Sequence, residues 1–245
     1  MPQLSSLGMW ELVPIGLFVW WVTQGPRGWT RQPLLVSTAV SVFVIGMLPT
    51  FDSAARHSVW LHCLQSALIH HLAPILLLLA TGDQPAPRSA SAGEGRLTRP
   101  LVVIGFGLMS GIWMLPQLHL RLMEDPNLYV LMKWGMAFSG VFLCRLMARD
   151  CQRSDVPLSR RLSFSLSVAL PQLLVGLALL ISSPLYAMPA HQMAHMHGMM
   201  VIGLSPQLDQ SLGGVLLCLS ALLLLWADRS LYAKRPDVGA LRPAR

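Results

Sequence analysis

The stretch Val59-Trp-Leu-His-Cys-Leu-Gln-Ser-Ala-Leu-Ile-His-His-Leu-Ala-Pro74 is an apolar run that polar side chains interrupt at regular intervals. His62, Ser66 and His70 lie four residues apart, and residues at this spacing share one face of an α-helix. Gln65 lies beside this polar stripe. Because most other positions are apolar, the pattern predicts a membrane-embedded helix that turns its polar stripe towards the interior of a helix bundle.

The two stripe histidines are too far apart to share one ligand. The helical rise separates His62 from His70 by about 12 Å, so a single ion cannot bind both. Ionisable groups inside a membrane are costly and often mark a site, which favours a metal-ligand role for His62. The alternative is that a polar side chain only forms hydrogen bonds between helices, and this is the simpler interpretation of Gln65. We place Gln65 and His70 in supporting roles.

The composition of the whole chain indicates a membrane protein. Of its 245 residues, 53% are hydrophobic and only 12% are charged, whereas soluble domains are about one-quarter charged. Seven apolar segments approach the roughly 20 residues that a membrane-spanning helix needs. They are Met9–Thr23, Leu34–Leu48, Val59–Ala80, Leu101–Leu115, Leu128–Ala148, Leu162–Tyr186 and Gln210–Ala227. The sequence therefore predicts an all-α bundle of seven transmembrane helices that forms a single domain over residues 1–245.

The basic residues predict how this bundle is oriented. Fifteen of the 18 Lys and Arg fall in alternate connections and the C-terminal tail, while Arg56 and Arg121 fall on the opposite side. The positive-inside rule then places the N-terminus outside and the C-terminus in the cytoplasm. Residues 81–100 become a flexible cytoplasmic loop, 229–245 a disordered cytoplasmic tail and 187–208 a periplasmic loop. The net charge of +7 is explained by this topology and by anionic lipid headgroups, and not by nucleic acid.

The predicted periplasmic loop contains Ala187-Met-Pro-Ala-His-Gln-Met-Ala-His-Met-His-Gly-Met-Met200, with three imidazoles and five thioethers. Thioether and imidazole donors together favour copper, above all Cu(I), and the stretch has no Asp, Glu or Cys. The alternative is that Met is only a flexible apolar filler. We predict a copper site with the ligands His191, His195, His197, Met193, Met196, Met199 and Met200.

Two charged residues are candidates for a supporting role. Lys133 lies about 9 Å inside the predicted boundary by helical rise, so its side chain is expected to extend back to the membrane surface. Asp209 is expected to be the N-cap of the seventh helix, where a carboxylate suits the positive end of the helix dipole. An alternative role for Asp209 is to orient one of the loop histidines as a partner outside the ligand sphere.

Two motifs give the chain a family resemblance. The pattern His62-x-x-Gln65 followed by Pro74, and the closing Asp209-Gln-x-x-Gly-Gly214, resemble the CtaG-type family of bacterial cytochrome c oxidase assembly proteins. That family also has seven helices with the N-terminus outside. The resemblance implies a protein of the bacterial cytoplasmic (inner) membrane that takes part in oxidase maturation. It further implies a role in supplying copper, with oxidase subunits or a copper chaperone as partners.

A second class of function stays open at this point. His62 with His70 or His71 could act as axial ligands in a membrane haem-b or quinone-linked electron carrier. The other predicted spans contain no histidine, so a partner ligand would have to be a methionine. We expect no enzymatic activity, because the sequence has no Ser/His/Asp arrangement, no zinc-protease motif and no carboxylate pair.

Overall fold

The computed structural model describes residues 11–23, 32–81, 98–152, 158–186 and 204–233. All regular structure in these ranges is helical. The helices are α1 (Leu12–Thr23), α2 (Pro33–Met47), α3 (Pro49–Ala55), α4 (Val59–Ser66), α5 (Ala73–Thr81), α6 (Thr98–Gly111), α7 (Pro116–Glu124), α8 (Pro126–Gln152), α9 (Leu158–Ile181) and α10 (Pro206–Ala233). A π-helical segment, Ala67–Leu72, joins α4 to α5, and the 3-10 turn Ile112–Met114 follows α6.

Two Leu-Pro pairs break helices at sharp angles. The chain bends by 58° between α2 and α3 at Leu48-Pro49, and by 77° between the α6 segment and α7 at Leu115-Pro116. Both leucines are extended, with ψ of 131° and 126°. A proline disfavours helical geometry in the residue before it and lacks the N–H that would continue the ladder. Each proline then begins the next helix, where its missing N–H costs nothing.

The third predicted span is continuous but is underwound in the π-helical segment. Pro74 has no N–H, so the carbonyl of His70 lacks its usual donor. The N–H of Ala73 bonds to the carbonyl of Leu68, five residues earlier, and not to the carbonyl four residues earlier as in an α-helix. Helix α8 packs closely on this segment, because a Cβ at Gly140 would collide with the backbone oxygen of His70. A π-helical segment inserts an extra residue into a turn, so His70 does not continue the regular stripe that begins at His62.

Helix α10 lies against α9 and α4, and two glycines allow the closest contact. A Cβ at Gly176 would lie 2.9 Å from the carbonyl oxygen of Gly214, and one at Gly214 would lie 2.7 Å from that of Gly176. The glycines at these two positions therefore let the backbones of α9 and α10 come into close contact. The opposite face of α9 exposes large apolar side chains, as a lipid-facing helix does. They are Leu162, Leu166, Leu170, Leu174, Leu177 and Ile181.

Within the described ranges, the chain has four helices that are long and apolar enough to span a membrane. Each of the two bent pairs could add one more, which gives four to six candidate spans. Helix α1 contributes 12 residues. The all-helical, multi-pass architecture is confirmed, and the count of seven and the orientation of the termini stay predictions. One boundary was wrong: α10 continues to Ala233, so the first residues of the predicted tail are helical.

Candidate functional site

Lys133 of α8 lies in a buried ion pair and is fully buried. Its ammonium nitrogen is 2.5 Å from a carboxylate oxygen of Asp52 and 3.1 Å from one of Glu11, and it also donates to the carbonyl of Met47 at 3.3 Å. The prediction that Lys133 extends to the membrane surface was wrong. Two carboxylates within the bundle compensate its charge, so it has no need to reach water.

The side chain of Gln65 joins this ion pair to the rest of the site. Its amide nitrogen donates to Asp52 at 2.6 Å and to the carbonyl of Gly46 at 2.7 Å. Both partners can only accept, so the orientation of the amide is fixed. The amide oxygen of Gln65 must therefore accept the remaining contact, a hydrogen bond of 2.6 Å from the hydroxyl of Tyr129.

This chain of hydrogen bonds determines the tautomer of His62. The hydroxyl proton of Tyr129 is directed at Gln65, so the Tyr129 oxygen must accept from Nδ1 of His62 at 3.2 Å. The proton of the neutral imidazole then lies on Nδ1, and Nε2 carries a lone pair. His62 is only 1% exposed, and its Nε2 atom has no hydrogen-bond partner among the described residues. A buried nitrogen without a partner is uncommon and calls for an explanation.

A second imidazole lies next to His62. His119 of α7 is 2% exposed, and the two ring centroids are 5.1 Å apart at an angle of 87°. Nδ1 of His119 lies 3.1 Å from the carbonyl oxygen of Trp113. Because a carbonyl can only accept, this nitrogen donates, and Nε2 of His119 also carries a lone pair. The two histidines therefore have the same tautomer.

His119 lies between the predicted fourth and fifth spans, so the sequence did not indicate it as an intramembrane residue, whereas the structure places it in a bent pair that can form one span. The 77° bend at Leu115-Pro116 turns α7 back against α4 and α8. The buried positions of α7 are His119, Leu122 and Met123. Their spacing of three and four residues after a proline is typical of a helix with one buried face, and this was the available signal.

Asp209 fixes the start of α4 and not that of its own helix. Its carboxylate accepts hydrogen bonds from the hydroxyl of Ser58 at 2.5 Å and from the backbone N–H groups of Val59 at 2.8 Å and Trp60 at 3.2 Å. The N-cap prediction was wrong, because α10 begins three residues earlier and the hydroxyl of Ser205 accepts from the N–H of Leu208. Asp209 thus joins α10 to the turn that precedes His62.

His70 and His71 belong to a separate polar cluster further along the bundle. Nε2 of His70 lies 2.9 Å from the hydroxyl of Ser139, and Nε2 of His71 lies 2.7 Å from the amide oxygen of Gln172. The ring of Phe106 stacks on that of His70 at 4.1 Å. The haem alternative pairs His62 with His70 or His71, and it gains no support because these residues lie in two separate polar clusters.

The predicted loop ligands His191, His195, His197, Met193, Met196, Met199 and Met200 lie outside the described residues. The structure does describe both flanks of that loop. On one side, the ring of Tyr186 packs against His119 at 4.3 Å, and its hydroxyl donates to the carbonyl of Met114 at 2.5 Å. On the other side, Asp209 binds the start of α4. The described residues that flank the loop therefore contact His119 on one side and the start of α4 on the other.

Within the described ranges, no group of three or more His, Cys, Asp or Glu side chains is arranged to hold a metal ion. Two carboxylates are linked to this region. Asp52 belongs to the hydrogen-bond chain that ends at His62, and Asp209 lies beside the start of α4, and both already have partners. Asp52 binds Lys133 and Gln65, and Asp209 binds the beginning of α4. The site therefore offers two neutral imidazole lone pairs in a buried environment.

The apolar helices pack around a buried set of hydrogen-bonded polar side chains. This combination defines the protein as a multi-pass helical membrane protein. The family model of the cytochrome c oxidase caa3 assembly factor (Caa3_CtaG) matches residues 15–227, and the chain belongs to this family. The resemblance seen in the sequence motifs is confirmed. No curated protein and no solved structure matches the chain.

Proposed function

We propose that this protein takes up Cu(I) at the periplasmic face of the bacterial inner membrane and delivers it during the assembly of cytochrome c oxidase. The proposal rests on one observation above all: the ring of the buried His62, whose Nε2 atom has no partner among the described residues, packs against His119, and His119 packs against Tyr186, the last described residue before the Met/His-rich loop. Copper is the cargo, and the role is non-catalytic. The partners would be an oxidase subunit and a soluble copper chaperone.

The chemistry of the donors supports copper as the cargo. The loop supplies thioethers and imidazoles, and the site beneath it supplies further imidazoles, so the donors suit a soft monovalent ion. Metal-binding histidines commonly donate their other ring N–H to a backbone carbonyl or an oxygen acceptor. His119 and His62 both do so, to Trp113 and Tyr129 respectively.

The proposal includes the topology of seven spans with the N-terminus outside. We expect a periplasmic reporter fused at Gly198 to be active and one fused at Ser91 to be inactive, because 15 of the 18 basic residues then lie in the cytoplasm. Labelling of single cysteines at the same positions with a membrane-impermeant reagent provides an independent measurement. A cytoplasmic signal at Gly198 would overturn both the topology and periplasmic uptake.

The loop is expected to bind Cu(I) in preference to Zn(II). Replacing Met193, Met196, Met199 and Met200 with leucine keeps the apolar volume nearly constant but removes the thioether donors. We expect Cu(I) affinity to fall at least about tenfold while Zn(II) binding changes little, because thioethers add little for zinc. Competition with a chromophoric Cu(I) chelator measures the first quantity.

The same variant also has a cellular readout. Oxidase activity should fall more under copper limitation than in excess copper, because added metal offsets a weaker site by mass action. A matched control replaces Met109 and Met132, which lie within the bundle, with leucine. Wild-type Cu(I) affinity and full oxidase maturation in the loop variant at scarce copper would show that the Met-rich stretch is only an apolar loop.

A further inference from the structure

The rings of His62 and His119 lie next to each other in a buried part of the bundle. Both rings are almost fully buried, their centroids are 5.1 Å apart, and both Nδ1 atoms are used as donors. We propose that Nε2 of His62 and Nε2 of His119 form a two-coordinate site for a monovalent soft cation, Cu(I). This inference rests on the proposed function and adds to it a second, buried site below the loop.

The number and charge of the ligands select a monovalent ion. Cu(I) has a filled d shell and accepts two-coordinate, nearly linear binding, whereas Zn(II) generally requires four ligands. The cost of moving an ion out of water rises with the square of its charge, and two neutral imidazoles cannot compensate a divalent ion in a buried site. Asp52 and Asp209, which could supply negative charge, are engaged by other partners.

The geometry requires only a small adjustment to admit the ion. With metal–nitrogen bonds of about 2 Å, a linear site would separate the two ring centroids by roughly 6 Å. The observed separation of 5.1 Å is smaller by about 1 Å, and the rings are already perpendicular. His119 lies on the short helix α7 beyond a proline bend, so a small displacement of that helix can supply the difference.

The residues around the two rings hold their tautomers in place. The chain from Lys133 through Asp52, Gln65 and Tyr129 keeps the proton of the neutral His62 ring on Nδ1, so Nε2 retains its lone pair. The carbonyl of Trp113 does the same for His119. Such partners of metal-binding histidines typically change metal affinity by about 10-fold to 100-fold when they are removed. Tyr129 is therefore a positioning residue for this site.

Entry to the site runs past Tyr186. The ring centroid of Tyr186 lies 4.3 Å from that of His119, and Tyr186 is the last described residue before the Met/His-rich loop. An ion released by a loop thioether or imidazole would thus meet His119 first. Transfer proceeds by exchanging one neutral donor for another, so it requires no redox step and no proton.

The test measures the number of Cu(I) ions bound per molecule of the full-length protein, in lipid nanodiscs under anaerobic conditions. A loop-deficient variant carries alanine at His191, His195 and His197 and leucine at Met193, Met196, Met199 and Met200. We expect it to retain one Cu(I), and X-ray absorption should show two nitrogen donors and no sulfur. In this background, His119→Gln should lose the ion, because glutamine can still donate to Trp113 but has no imidazole lone pair.

His57→Gln is the matched control, since His57 lies near the same end of the bundle with its Nδ1 bonded to the carbonyl of Ser53. It should leave the stoichiometry unchanged. If His119→Gln lowers the yield of folded protein, His119→Met replaces it, and its thioether should keep Cu(I) affinity within about tenfold of the parent. Failure of this variant to bind Cu(I) when folded would count against the site.

The outcomes separate this inference from the proposed function. If the wild type binds no Cu(I), both fail. If the wild type binds Cu(I) but the loop-deficient variant does not, copper handling stands and the buried site is overturned. Retention of the ion by a folded His119→Gln variant would also overturn it.

Discussion

Lys133→Met is expected to prevent the protein from accumulating in the membrane. The change removes the ammonium group that contacts both Asp52 and Glu11, so the buried carboxylate of Glu11 and the half-buried one of Asp52 lose this counter-charge. Removing one partner of a buried ion pair typically costs about 3–5 kcal/mol. Folded proteins have a total stability of about 5–15 kcal/mol, so this loss is large. The level of protein in isolated membranes and its unfolding temperature in detergent are the measurements.

The control for this prediction removes the carboxylates as well. Combining Lys133→Met with Asp52→Asn and Glu11→Gln leaves no unpaired charge, so the level of folded protein should recover in part. Arg121→Met provides a matched loss of one basic residue at an exposed position of α7 and should have little effect. A Lys133→Met protein with wild-type abundance and unfolding temperature would show that the ion pair contributes little to folding.

His62→Gln is expected to abolish oxidase maturation while leaving most of the protein in the membrane. Glutamine keeps the polar bulk and can donate to Tyr129, but it has no imidazole nitrogen in the position of Nε2. Because Nε2 of His62 has no partner among the described residues, its removal breaks no hydrogen bond of the fold. His62→Ala should also abolish maturation but lower abundance more, because it removes the hydrogen bond to Tyr129 and adds a cost for the cavity of about 1–3 kcal/mol.

Oxidase activity per molecule of variant protein, determined from membrane activity and immunoblotting, tests this expectation. His71→Gln is the comparison, because His71 is equally buried but bonds to Gln172 in the separate cluster. His71 lies off the predicted polar stripe, but its hydrogen bond to Gln172 predicts that its substitution lowers abundance. A His62 variant with low abundance but normal maturation per molecule would identify His62 as a structural residue.

Much of the architecture could be predicted from the sequence, because hydropathy is a property of neighbouring residues. The segments Val59–Ala80 and Gln210–Ala227 each fall within one candidate span of the structure, and Leu128–Ala148 does so except for its last residue. The motif around His62 and the closing Asp209 motif identified the family over most of the chain. The inward polar side of the third span was also predictable, since the period of 3.6 residues is local information.

The broken helices were only partly visible in the sequence. Leu48-Pro49 and Leu115-Pro116 marked where apolar segments end, but not that α3 and α7 follow as helices that fold back on the bundle. These short helices carry Asp52 and His119. Both residues lie between the predicted spans, so the sequence did not indicate them as intramembrane partners.

The sequence by itself determined the membrane class, the main helices, the family and His62 as a candidate ligand. The tertiary structure alone decided the partners of the charged and titratable groups. Lys133 meets Glu11 and Asp52, Asp209 meets Ser58, and His119 meets His62, each across 57 to 151 positions of the chain. In a membrane such groups must find partners within the bundle, and which residues meet depends on how bent helices pack, which no local pattern contains.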